Sequence, residues 1–224
     1  MDVYFFKKNG EWICSESFIK PPSKNKYTIC LDFDGVVVDP SKLKSHYLKK
    51  AGYPIKPSSS NRETCLRKGI PLSIYRPISS KVATKYLMEL PIKKDAIDTI
   101  NSIYRNYHIY FITARNKQET IYLLKFIDFH QLSINGVFSV NDGSKLKSLS
   151  EVKANIFIDD SPHKLRELLN NTGLKVSGLI DNCKLFLFEN VANQNYILDK
   201  DWPIKKIKNW NELDYLVSSY DINV

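Results

Sequence analysis

The sequence predicts an α/β fold built on a parallel sheet. Two observations carry this expectation. From residue 91 onward, short apolar runs alternate with amphipathic helical patterns, as βαβ units with right-handed crossovers do. The run at 27–33 (YTICLDF) is nearly all apolar, as a strand buried on both faces requires. A chain of 224 residues with 43% apolar and 25% charged residues can bury a sizeable core without disulfides. Its composition excludes disorder and collagen-like structure.

The elements follow in order. Asn9-Gly10 stands between two strand-like runs within 3–18, the signal of a hairpin with a type I′ turn. Such a hairpin can bind a partner, support oligomerisation or extend the sheet. Pro21-Pro22 opens a linker, and 27–33 is the first core strand. Residues 41–90 mix short helical patterns with Pro54, Pro57, Pro71 and Pro77. At 92–105, Ile92, Ala96, Ile97, Ile100 and Ile103 share one helical face. A strand at 107–112 leads to Asn116, a helix cap with Glu119 three residues on. A strand at 137–140, a helix at 144–152 and a strand at 154–158 come next. Ser161-Pro162 then opens a helix as cap and first helical residue. Strands at 174–180 and 184–188 and a helix at 209–219 complete the expectation.

No run approaches the roughly 18 apolar residues of a membrane span, and the N-terminal MDVYFFKKNGEW lacks the pattern of a secretory signal. No membrane association is expected. Cys14, Cys30, Cys65 and Cys183 follow no regular spacing and read as reduced thiols of a cytoplasmic protein. The net charge of +9 is concentrated. Residues 41–91 hold eleven Lys or Arg against Glu63 and Glu89, and the rest of the chain is neutral. Such a segment is either a solvated basic face or a lid that attracts an anion.

Three strand ends carry polar residues that packing does not require: Asp32-Phe33-Asp34-Gly35, Thr113-Ala114-Arg115 and Asp159-Asp160. Ligands bind an open parallel sheet beyond the carboxyl ends of its strands. Alone, an Asp in such a place is usually a turn residue or a cap. Three such ends in one chain make four converging carboxylates, which repel one another unless a cation neutralises them. Oxygen ligands without His or Cys favour Mg²⁺ over zinc. His46, His108, His130 and His163 are dispersed and show no metal-ligand spacing.

The residues 32–39 (DFDGVVVD), Ile112-Thr113, a lysine near 145 and 157–160 (FIDD) resemble the four motifs of the haloacid dehalogenase superfamily of phosphohydrolases. Within it, 107–115 (YHIYFITAR), FIDD and Trp210-Asn211-Glu212-Leu213 are similar to the 5′(3′)-deoxyribonucleotidase-like branch. The resemblance implies a Rossmann-like core, residues 27–40 and 92–224, with strand order 5-4-1-2-3. It also implies a small helical cap inserted after the first motif, which here is the basic segment 41–91. Residues 1–26 form an extension outside it.

The resemblance also implies roles. Asp32 would be the nucleophile that forms an aspartyl-phosphate. Asp32, Asp159 and the carbonyl of Asp34 would hold Mg²⁺, and Asp160 would ligate it directly or hold a bound water. The side chain of Asp34 would protonate the leaving oxygen and later deprotonate water. Gly35 would bring its amide near phosphate, and Thr113 with the amide of Ala114 would bind phosphoryl oxygens. The cationic partner is Lys145 or Lys147, with Lys145 preferred because it follows Gly143-Ser144 at a helix start. Arg115 would touch the phosphate or leaving group, or lie at the surface. Tyr47, Tyr53, Tyr75 and Tyr86 interleave with the basic residues and either stack on a base or form the cap's core.

The implied activity is phosphomonoester hydrolysis of a small phosphorylated substrate, with nucleoside monophosphates favoured. Another phosphorylated metabolite, a nucleic-acid end, or a non-catalytic binding role are the alternatives.

Overall fold

The computed structural model describes residues 2–18, 26–170 and 183–220. Its strands are β1 (Val3–Lys8), β2 (Glu11–Ser15), β3 (Thr28–Leu31), β4 (His108–Thr113), β5 (Gly136–Ser139), β6 (Ile156–Asp159), β7 (Lys184–Phe188) and β8 (Ile204–Ile207). They form one sheet in the order β2-β1-β5-β4-β3-β6-β7-β8. The strands from β3 to β8 pair in parallel. In order of appearance, β3 to β7 therefore stand 5-4-1-2-3 across the sheet.

The N-terminal hairpin extends this sheet. Asn9 (φ 53°) and Gly10 (φ 86°) are both left-handed, as a type I′ turn demands. β1 then pairs antiparallel with β5, Val3 opposite Ser139. Tyr4 packs its ring on Phe138, with centroids 4.7 Å apart. The hairpin also reaches the helix α5 (Lys117–Phe129). There Lys7 pairs with Asp128 at 2.5 Å, and Trp12 Nε1 donates to the same carboxylate at 3.0 Å.

Because alternate residues of a strand face opposite ways, β3 feeds two cores. Ile29 and Leu31 join Phe33, Phe111, Phe126 and Trp210 on one face. Cys30 joins Tyr110, Phe157 and Leu165 on the other. The helices α4 (Ala96–Ile103), α5 and α8 (Trp210–Tyr220) cover the first face, while α6 (Leu146–Glu151) and α7 (Pro162–Asn170) cover the second. Residues 41–91 hold α1 (Ser41–Lys50), α2 (Arg62–Arg67) and α3 (Leu72–Ala83). These close around an apolar cluster of their own: Leu48, Cys65, Ile70 and Tyr75. Among the described residues, no helix is long and apolar enough to cross a membrane.

Several boundaries differ from expectation. The helix expected from residue 92 starts at Ala96, after Asp95 adopts φ 64°. The strand expected at 154–158 runs to Asp159, which carries that carboxylate to the strand's end. β8 was not foreseen: its sequence, IKKI, has two lysines between isoleucines, a composition that protects edge strands. The strand expected at 174–180 lies outside the described residues.

The start of α5 offers a measurable contribution. Asn116 Oδ1 accepts from the Glu119 amide at 2.9 Å, and the Glu119 carboxylate accepts from the Asn116 amide at 3.1 Å. Asn116→Ala is expected to lower the unfolding free energy by about 1 kcal/mol, read as a lower urea midpoint at unchanged m-value. An unchanged midpoint would show that this capping box contributes nothing.

Candidate active site

The carboxyl ends of β3, β4 and β6 lie side by side. Just past β3, the Asp32 amide donates to the Ile158 carbonyl of β6 at 2.8 Å. Asp32, Asp159 and Asp160 consequently offer carboxylate oxygens all within 4.8 Å of one another. Lys145 enters this cluster. Its Nζ lies 2.9 Å from Asp32 Oδ1 and 2.8 Å from Asp159 Oδ2, and its side chain is 3% exposed. Lys147 does not enter; it is 68% exposed and faces Glu151 at 3.9 Å. A tight loop after β5 delivers Lys145. Asn141 and Asp142 take left-handed conformations (φ 44° and 63°), and the Asp142 amide bonds to the Ala114 carbonyl at 2.9 Å.

One ammonium does not balance three carboxylates. Burial pushes the Asp32 carboxyl up to about 6; Lys145 opposes this, and the charges of Asp159 and Asp34 add to it. Asp160 is driven well above the ordinary carboxylate range by burial and then by Asp159 and Asp32. Burial pulls Lys145 down, but Asp159 and Asp32 more than offset it and leave its pKa raised. A cluster of hard oxygen donors that still carries excess negative charge fits a divalent cation of the magnesium type.

The two neighbouring aspartates are held differently. Asp159 is fully buried and has both oxygens engaged, Oδ2 by Lys145 and Oδ1 by the Ser161 amide at 2.8 Å. Asp160 accepts from Asn190 Nδ2 at 2.6 Å, and its carbonyl accepts from Asn193 Nδ2 at 2.7 Å. Asn193 Nδ2 also donates to the Phe188 carbonyl at 2.8 Å. Asn190 and Asn193 were missed in the sequence. The signal was there, since both follow the apolar run of β7 as the carboxylates follow β3 and β6.

Three residues stand differently from expectation. Arg115 is neither a surface residue nor an open phosphate ligand. It is 4% exposed and grips Asp34 with two hydrogen bonds of 2.9 Å, Nε to Oδ2 and Nη2 to Oδ1. Its Nη1 donates to the Ala83 carbonyl of α3 at 2.7 Å. The Asp34 side chain therefore turns toward Arg115 and is not among the three clustered carboxylates. Burial pushes Asp34 up, but Arg115 outweighs it and holds the carboxyl below its usual range. The Gly35 amide is also engaged, donating to the Val38 carbonyl at 2.8 Å. Gly35 adopts φ 86°, and any side chain there would collide with the Asp160 carboxylate, so its smallness makes room for that group. Thr113 and Ala114 do line the space above the cluster.

That space is a cavity of about 1060 Å³ between the strand ends and residues 41–91. The helices α1, α2 and α3 line it with Lys44, Arg62, Arg67, Tyr75 and Arg76. Asp142 ties the two sides together, pairing with Arg62 at 3.2 Å and with Arg76. His163 lines the cavity as well. Tyr47 and Tyr86 instead pack on each other, with centroids 5.3 Å apart.

No family model matches the chain. It is similar to a nucleotidase of Clostridium acetobutylicum, 25% identical over 179 residues that cover 78% of this chain and 88% of the relative. A haloacid dehalogenase-like hydrolase of Streptococcus pneumoniae superposes with a TM-score of 0.55 at 17% identity, over 87% of this chain and 98% of that one. The hydrolase YfnB of Bacillus subtilis, in a structure bound to magnesium, gives 0.54 at 13% identity, over 87% and 99%. The fold is that of the haloacid dehalogenase superfamily.

The raised pKa of Asp32 sets a pH dependence for the metal-free protein. A folded value of about 6 against an ordinary 3.8 favours the protonated folded state. That contribution is fully present below the unfolded pKa and is lost as pH rises through the folded one. In chelator, Asp32→Asn is expected to raise stability at pH 7.5 by at most about 3 kcal/mol and to flatten the slope between pH ~4 and ~6. Thermal melts across pH check this, and a less stable variant at pH 7.5 would contradict it.

Proposed function

We propose that this protein is a magnesium-dependent phosphomonoester hydrolase that works through an aspartyl-phosphate and favours nucleoside monophosphates. The observation that carries the proposal is the cluster of Asp32, Asp159 and Asp160 around Lys145, on the floor of a cavity large enough for a nucleotide. The likeness to a nucleotidase supports the substrate class. The magnesium in a structure of the same fold supports the metal.

Each half of the reaction uses residues of this chain. Asp32 attacks phosphorus and the bond to the leaving oxygen breaks, which leaves phosphate esterified to Asp32. Thr113, the Ala114 amide and the Lys145 ammonium stabilise the phosphoryl oxygens. Asp34 gives its proton to the leaving oxygen, then takes one from the water that attacks the aspartyl-phosphate and frees Asp32. Its ion pair with Arg115 favours the deprotonated form, which suits the second half. The first half needs Asp34 protonated, so the Arg115 pair must open before Asp34 can donate to the leaving oxygen. Held by the Asp32, Asp159 and Asp160 carboxylates and the Asp34 carbonyl, magnesium would offset the repulsion between nucleophile and phosphate.

Residues 41–91 act as a cap whose cations draw in an anionic substrate. A nucleic-acid end is the second reading, favoured by the number of cations that the cap turns to the cavity. A purely binding role gives no reason for Lys145 to be buried between two carboxylates.

Phosphate release from an aryl phosphate and from a panel of nucleotides tests the proposal. Release is expected to require Mg²⁺ and to stop with chelator. Asp32→Asn should lower kcat at least about 1000-fold and Lys145→Met about 100-fold, with Lys147→Met close to wild type. Full activity in chelator, or an active Asp32→Asn variant, would overturn it.

A further inference from the structure

Lys44 is a cation to which the proposed chemistry gives no specific role. It lies on α1, one turn past the helix start, and lines the cavity. Its ammonium stands 5.9 Å from the ring centroid of Tyr75, itself a buried residue of the cap. Among the described residues, no carboxylate is in ion-pair contact with it. Among those residues, two of the other cap cations on the cavity wall have a carboxylate partner and one has not. Arg62 and Arg76 are taken up by Asp142, while Arg67 donates to the Thr64 hydroxyl at 3.3 Å. Burial disfavours the charged form of Lys44, yet the Tyr75 hydroxyl and the Asp34 and Asp160 charges raise its pKa overall. Lys44 and Asp34 line the same cavity.

Its position assigns it to one half of the substrate. In an in-line displacement the leaving oxygen lies opposite the attacking one. Asp32 attacks and Asp34 protonates the leaving oxygen, so the space beside Asp34 on the cap side belongs to the alcohol. The phosphoryl oxygens already have Lys145 at the floor. An ammonium beside the alcohol with no carboxylate partner is satisfied by an anionic group on that alcohol.

We propose that Lys44, with Tyr75 beside it, forms a second anion subsite, so that the preferred substrates are phosphomonoesters whose alcohol portion carries another phosphate. This deepens the phosphohydrolase reading and rests on it. The shared chemistry has two sources: a free nucleoside bisphosphate, or the terminal phosphate of an oligonucleotide, whose neighbouring phosphodiester supplies the second charge.

Affinity measured apart from turnover separates the two levels. In the Asp32→Asn protein with Mg²⁺, calorimetric titration compares a nucleoside 5′-monophosphate, the matching 3′,5′-bisphosphate and a short oligonucleotide with a 3′-terminal phosphate. The bisphosphate should bind roughly tenfold or more tightly than the monophosphate. Adding Lys44→Met should bring the ratio of the two Kd values close to one, and Lys44→Arg should keep most of it. Both ligands are titrated into the same sample, so the ratio is independent of the folded fraction. Tighter binding of the oligonucleotide than of the bisphosphate, with a steep salt dependence, identifies the nucleic-acid end as the source; the reverse order identifies the free bisphosphate. Equal affinities for monophosphate and bisphosphate, or a preference that survives Lys44→Met, would overturn the subsite. A Lys44-dependent preference in a protein whose wild type releases no phosphate would uphold the subsite and overturn the hydrolase reading instead.

Discussion

Charge balance at the end of the sheet governs this molecule. Parallel strands in the order found here bring the ends of β3 and β6 together, and with them three carboxylates within 4.8 Å of one another. A buried cluster of that kind is unfavourable unless cations or hydrogen bonds answer it. Lys145 answers two of the carboxylates from below, and Asn190 holds the third from the side. The left-handed backbone at Asn141 and Asp142 and the bare Gly35 beside Asp160 make room for this arrangement. Burial first, and then the neighbouring carboxylates, keep the pKa of Asp32 and Asp160 raised, and the excess of carboxylates over ammonium fits the cluster for a divalent cation.

The cap and the core are joined through charged groups as well. Arg115 bonds at once to Asp34 in the core and to the Ala83 carbonyl at the end of α3. Asp142 sits on the loop that delivers Lys145 and pairs with Arg62 and Arg76 of the cap. The cap therefore meets the core through the same segments that carry the proposed acid–base residue and the buried lysine.

Much of this was legible in the sequence because it is local. The run 27–33 is apolar at nearly every position and ends in Asp32-Phe33-Asp34-Gly35, so the strand and its terminal carboxylates are visible together. Asn116 and Glu119 specify their capping box within one turn. What escaped depends on distant partners. Gly143-Ser144 pointed to Lys145 rather than Lys147, but the two carboxylates that Lys145 bridges, Asp32 and Asp159, are distant in sequence. The Arg115 clasp on Asp34 joins residues separated by 81 positions. β8 is hidden because an edge strand with lysines between isoleucines has no apolar run to betray it. The hairpin was visible through Asn9-Gly10, but its pairing with β5 is a contact across the whole first half of the chain.

The central claim is that Asp32 itself carries the phosphoryl group between the two halves of the reaction. Rapid acid quench of the enzyme mixed with Mg²⁺ and a substrate labelled with ³²P in the transferred phosphate tests it most directly. Label should appear, within the first turnover, in the peptide that contains Asp32, and should be lost on hydroxylamine treatment, as an acyl phosphate is. Steady release of labelled phosphate with no label on that peptide at any time, or label on a peptide lacking Asp32, would contradict the claim.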